Sequence, residues 1–249
     1  MEKALEKFIS HWKQQPNVRG ILLTGSYAVG IQKEDSDVDI RLILKDDVPE
    51  SFKGLETIDG FSFSFIGRSK AVTLKKFNRQ FFSHVKMEAC IYNVGKILHD
   101  PFGDIAEIMK VAKIYVDTPL VAKEISEADL KLYMYSLHKK YSYIMSTDPD
   151  DPFYVYNYMM YLKSALHRYA DFINAEIMFE NDSKLSRFLT DERYLAAYGY
   201  EKFPDQDFMA LWLAGLKEKS TSCIAEIHNY LRKNLHNFND SNTIISWHD

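Results

Sequence analysis

The amino-acid sequence predicts an α+β protein in which strands and helices mix up to about residue 118 and an all-α helical bundle follows. Three observations carry this. The apolar run Ile21-Leu22-Leu23 is followed, after a polar loop, by a stretch where Asp37, Asp39 and Arg41 alternate with Val38, Ile40 and Leu42. That period of 2 belongs to a strand with two unlike faces. Asp59-Gly60 joins Leu55–Ile58 to the alternating Phe61-Ser62-Phe63-Ser64-Phe65, a strong two-residue hairpin signal. From Ser126 onward every long segment has a period of 3.6 and none alternates as a strand does. The expected domains are residues 1–118 and 119–249.

The first element is a helix over residues 2–15, with Leu5, Phe8, Ile9 and Trp12 on one face and Glu2, Lys3, Glu6, Lys7 and Lys13 on the other. Pro16-Asn17 ends it. The two strands described above come next, the second running to Leu44 before a solvated turn at Lys45-Asp46-Asp47, and the hairpin follows. Leu74, Phe77, Phe81 and Val85 then mark one face of a packed helix. Lys96-Ile97-Leu98-His99 is a short strand candidate. Asp104 is placed to cap a helix carrying Ile105, Ile108, Met109 and Ala112, and Asp117-Thr118-Pro119 breaks the chain. Ser126 and Asp129 have capping-box spacing ahead of Leu130, Tyr133, Met134, Leu137, Tyr141 and Ile144. Asp151-Pro152 begins the next helix, a short piece around Phe188 follows, and a last helix runs from near Asp205 to Leu231. Together these make a bundle of about four helices. The tail, 237–249, is rich in Asn, Ser and Asp and is expected to be loosely held.

Composition excludes several classes. With 46% hydrophobic and 27% charged residues the chain is globular. A formal charge of -4 argues against a dedicated nucleic-acid binder, which carries a basic stripe. Cys90 and Cys223 form neither a CxxC pair nor a disulfide framework, which suits a reducing compartment. No apolar run approaches the roughly 20 residues needed to cross a bilayer. The expectation is a cytoplasmic protein with no membrane contact. No Gly-x-Ser-x-Gly elbow, P-loop or HExxH is present.

The chemistry concentrates between Thr24 and Arg41. The first strand stops at Gly25-Ser26, where small residues let a phosphate approach backbone N–H groups. Asp37 and Asp39 share the face of the next strand. Paired carboxylates facing an anion seat suit a metal-assisted phosphoryl reaction, because Mg²⁺ takes one or two carboxylates plus phosphate oxygens.

Gly25-Ser26, Gly30, Ser36 and Asp37-Val38-Asp39, spaced without a gap, resemble the signature of the DNA polymerase beta type nucleotidyltransferase superfamily. The resemblance implies a mixed sheet with flanking helices, and an active cleft against the helical domain as in small antibiotic-modifying and minimal bacterial members. It implies a nucleoside triphosphate, ATP first among them, as substrate. Gly25 and Ser26 would seat its phosphates, Asp37 and Asp39 would bind Mg²⁺ and act in catalysis, and a nucleoside monophosphate would pass to a hydroxyl of a small molecule or protein.

Two departures stand out. Minimal members often carry arginines where this chain has Tyr27 and Val29, leaving Lys33 or Arg41 to supply cations; Arg41 can equally pair with Asp39. The family also places a third carboxylate on a neighbouring strand, where Ser62 and Ser64 stand here, with Asp59 and Glu88 as more distant substitutes. The rival expectation is therefore a nucleotidyltransferase fold that binds nucleotide as a sensor or partner-binding module without transferring it.

Overall fold

The computed structural model describes residues 1–178, 184–239 and 243–246. Its sheet has five strands, β1 (Val18–Thr24), β2 (Val38–Leu44), β3 (Phe52–Ile58), β4 (Phe61–Ser69) and β5 (Lys96–His99), in the order β3-β4-β2-β1-β5. β2 runs parallel to β4 and every other pairing is antiparallel, so the sheet is mixed. The hairpin turn carries positive φ at both Asp59 (50°) and Gly60 (83°), as a primed two-residue turn requires.

Alternation along the strands gives the sheet two buried faces. Ile21, Leu23, Ile40, Leu42, Phe63 and Phe65 face α1 (Glu2–Trp12), whose Phe8 is fully buried and stacks on Phe63 with ring centroids 4.9 Å apart. After the short α2 (Gly25–Val29), helices α3 (Lys70–Phe82), α4 (Met87–Asn93) and α5 (Asp104–Asp117) cover the other face over Leu22 and Ile43. Asp39 and Arg41 belong to this second face. α4 is absent from the sequence reading, being only two turns long. Asp104 begins α5 without capping it; Asp100 accepts from the backbone N–H groups of Ile105 (3.2 Å) and Ala106 (2.9 Å), while Asp104 pairs with Arg19.

Beyond α5 come α6 (Glu127–Ser146), α7 (Tyr154–Phe172), α8 (Lys184–Thr190), α9 (Glu192–Tyr198), α10 (Gln206–Glu218) and α11 (Thr221–Asn234). The chain divides into two compact units, 1–121 with 178–202 and 122–177 with 203–249. This division differs from 1–118 and 119–249 by residues 119–121 at the boundary and by one returning segment, 178–202. α8 and α9 join the sheet unit because Phe188, Tyr194, Leu195, Tyr198 and Tyr200 bury with Ile31 and Cys90.

In the other unit, α6 opens with the complete Ser126/Asp129 capping box. Tyr158 and Tyr161 of α7 are core residues, and the Tyr158 hydroxyl donates to the Gly215 carbonyl (2.8 Å). The single last helix of the sequence reading is two helices: Lys219 adopts a left-handed conformation (φ 52°) and Ser220 caps α11 through the Cys223 N–H (3.3 Å). No helix among the described residues is long and apolar enough to cross a membrane. Residues 240–242 and 247–249 of the tail lie outside the described residues.

Candidate active site

The site is built where β1 ends and β2 begins. Thr24 and Asp39 are register partners, and the Thr24 hydroxyl donates to the Asp39 carbonyl (3.2 Å). At Gly25 the chain turns into α2 with φ +67°, a conformation open to glycine and costly for other residues. The glycine is required for a second reason. A Cβ built there would overlap the Asp39 carboxylate oxygen and stand 2.7 Å from its Cγ and 2.8 Å from its Cβ. The Gly-Ser turn and the carboxylate are thus in direct contact.

α2 closes on Gly30, again left-handed (φ 72°), with the Ile31 N–H donating to the Ser26 carbonyl (3.0 Å). The following loop is held by Ser36, whose hydroxyl accepts from the Lys33 N–H (2.8 Å), leaving the Lys33 side chain exposed. Asp37 is exposed immediately before β2, and Asp39 is half-buried on the strand. Burial pushes the Asp39 carboxyl above its ordinary value; Lys184 and then Arg41 pull it down, and Asp37 adds to the rise.

Lys184 is a contributor that sequence reasoning missed. It begins α8, far along the chain, and no local pattern ties it to Asp39. The same returning segment contributes Arg193, which donates to the Gly30 carbonyl (3.0 Å), and Tyr198, whose hydroxyl is pushed up to about 12 by burial and then by the Asp39 charge. Lys184 and Arg193 thus bring cations beside Asp39 and the end of α2, near positions 27 and 29 that carry none.

The structure also locates the substitutes for the third carboxylate. Ser64 on β4 is the register partner of Asp39. Asp59 is bound to Lys7 (2.6 Å) of α1, on the opposite side of the sheet. Glu88 is buried at the start of α4, where it accepts from Arg68 (2.8 Å) and lies 3.6 Å from Arg41 Nε. Arg41 therefore pairs with Glu88, not with Asp39, and Glu88 is committed to two guanidinium groups. Glu88→Ala is expected to cost about 3–5 kcal/mol of stability, because it strands buried charge. A melt within a degree of wild type would show that Arg41 and Arg68 do not depend on Glu88.

Among the described residues no group of three or more His, Cys, Asp or Glu side chains converges as a metal site. Asp37 and Asp39 supply hard oxygen donors in a number that suits Mg²⁺ completed by phosphate oxygens.

The nucleotidyltransferase domain family, of the polymerase beta type, matches residues 1–93. No curated protein matches the chain. Among solved structures, the chain is similar to a nucleotidyltransferase-like protein from Exiguobacterium sibiricum 255-15, at 13% identity and a TM-score of 0.40, over 94% of this chain and 74% of that one.

Proposed function

We propose, from the nucleotidyltransferase domain that residues 1–93 match, that the protein transfers a nucleoside monophosphate from a Mg-bound nucleoside triphosphate, ATP first, to an acceptor. The observation that supports this reading is the close approach of Gly25 to the Asp39 carboxylate, since a small residue leaves the backbone open to phosphate and a carboxylate is a ligand type that Mg²⁺ takes. Gly25 and Ser26 seat phosphate, Lys33 and Lys184 offset its charge, and Asp37 with Asp39 hold the metal. Mg²⁺ bound there would neutralise charge on the transferring phosphorus and the departing pyrophosphate. The chain's own work is orientation: Thr24 and Gly25 fix Asp39, and Arg193 fixes the end of α2 through Gly30.

A second reading, a nucleotide-binding module without transfer, is favoured by one observation, the serine beside Asp39. Calorimetry with Mg-ATP and Mg-GTP on wild type and on the Asp37→Asn, Asp39→Asn double variant tests both readings at the binding step. The double variant is expected to lose binding by more than tenfold, and equal affinity would sink the site. Pyrophosphate release separates the two readings.

A further inference from the structure

The missing carboxylate is part of a wider change of charge beside Asp39. β3 and β4 present one face on the Asp39 side, with Leu55 paired to Ser64 and Lys53 paired to Ile66. Leu55 is 76% exposed and Ser62 and Ser64 are half-buried, so this part of the sheet is an open ledge. Arg68 stands on the same face of β4, and α3, whose Phe77 packs over this face of the sheet, carries Lys76 and Arg79. The charges acting most on Lys76 are Arg79, Glu88, Arg68 and Lys53, three cations and one acid. That acid is already held by Arg68 and Arg41. Lys53, Lys76 and Arg79 make no ion pair among the described residues. Beneath them Arg41 is 8% exposed, and its Nε makes no hydrogen bond.

Arg41 is buried, Arg68 and Lys76 are half-buried, and Lys53 and Arg79 are exposed; cations that gather in one place and outnumber their counter-charge raise the local affinity for an anion. We propose that this ledge binds the acceptor through an anionic phosphomonoester, and that a phosphate oxygen, not a hydroxyl, is the nucleophile. The inference rests on the nucleotidyl-transfer reading above. It accounts for Ser64 as well. A hydroxyl must give up its proton in the transition state, which a positioned base assists by typically 10²–10⁴-fold, whereas a phosphomonoester with a second pKa of about 6 is already ionised near neutral pH. The acceptor oxygen forms a bond to the α-phosphorus, the bond from that phosphorus to the bridging oxygen of the β-phosphate breaks, and pyrophosphate carries off the electron pair. No proton needs a home. Polycationic acceptors such as aminoglycosides are repelled.

Inorganic phosphate serves as the minimal acceptor, since transfer from Mg-ATP onto it yields ADP and pyrophosphate. The full chain is incubated with Mg-ATP and isotope-labelled phosphate, with glucose 1-phosphate, with glucose, or with kanamycin, and phosphate binding is titrated in parallel. Labelled ADP from labelled phosphate and ADP-glucose from glucose 1-phosphate are expected, with pyrophosphate release in both cases at least tenfold above that with glucose or kanamycin. The Lys76→Gln, Arg79→Gln double variant should lose roughly 10- to 100-fold in phosphate affinity, the range of a lost charge-assisted contact, while its Mg-ATP affinity stays within about twofold, as expected of residues outside the triphosphate seat. Faster release with glucose or kanamycin overturns the proposal. If no acceptor turns over, unaltered phosphate affinity in the double variant overturns it too. Failure of Mg-ATP to bind wild type instead refutes the nucleotidyl-transfer reading, and the phosphate titration still decides whether the ledge binds anions.

Discussion

Replacing Gly25 by valine is expected to remove Mg-nucleotide binding altogether while leaving a folded protein. Two costs fall on one position. A left-handed backbone costs an L residue about 1–2 kcal/mol, and the new side chain must occupy the space of the Asp39 carboxylate. The first cost lowers stability; the second displaces a metal ligand and blocks the approach of phosphate to the turn. Gly30→Ala separates them, because Gly30 has a similar φ of +72° but a Cβ there would meet nothing within 4 Å. Gly30→Ala should lose about 1–2 kcal/mol and bind nucleotide nearly as wild type does. Ser26→Ala should lie between, losing one charge-assisted hydrogen bond worth about 1.5–3 kcal/mol. Calorimetry with Mg-ATP, beside thermal melts of all three variants, gives the comparison. If Gly25→Val binds as Gly30→Ala does, phosphate does not sit at this turn.

The turn and the Asp face were legible in the sequence because each depends on short spacings: a glycine after an apolar run, and a period of 2 that puts Asp39 and Arg41 on one face. Ser64 could be anticipated by the same arithmetic, since Phe63 and Phe65 had to point into the core. What was not legible depends on residues far apart in the chain. Phe188 and Tyr198 mark amphipathic helices, but an amphipathic pattern does not say which core will bury it, and here it is that of Ile31 and Cys90. Arg41, Arg68 and Glu88 each look like an ordinary surface charge until β2, β4 and α4 bring them together. The break at Lys219-Ser220 is hidden for a different reason: apolar spacing on both sides continues a single helical period across it, and a polar cap in the middle resembles a solvated face.

Asp39→Asn is expected to produce opposite effects on binding and on stability. Burial is the main reason its carboxyl sits above the ordinary 3.8, so the ionised form is the strained one in the folded protein without ligand. Between the ordinary and the raised value the folded chain binds more protons than the unfolded chain, and stability therefore falls as pH rises through that window. The contribution of Asp39 is fully favourable below 3.8 and is lost above the raised value. Asparagine carries no charge and escapes this loss, so the ligand-free variant should melt above wild type near neutral pH and with little difference at pH 3.5. Nucleotide binding shows the reverse. Metal binding needs the ionised carboxylate and expels its proton, so wild-type affinity for Mg-ATP should fall as pH is lowered toward the raised value, with protons released on binding. In Asp39→Asn both the affinity and the proton release should disappear, and chelating the metal should do the same to wild type. Calorimetry in two buffers of different ionisation enthalpy measures the protons, and melts at several pH values measure the stability. A variant that melts below wild type at neutral pH would mean that Asp39 holds the fold together through Lys184 and Arg41, and that its raised carboxyl is not poised for a metal.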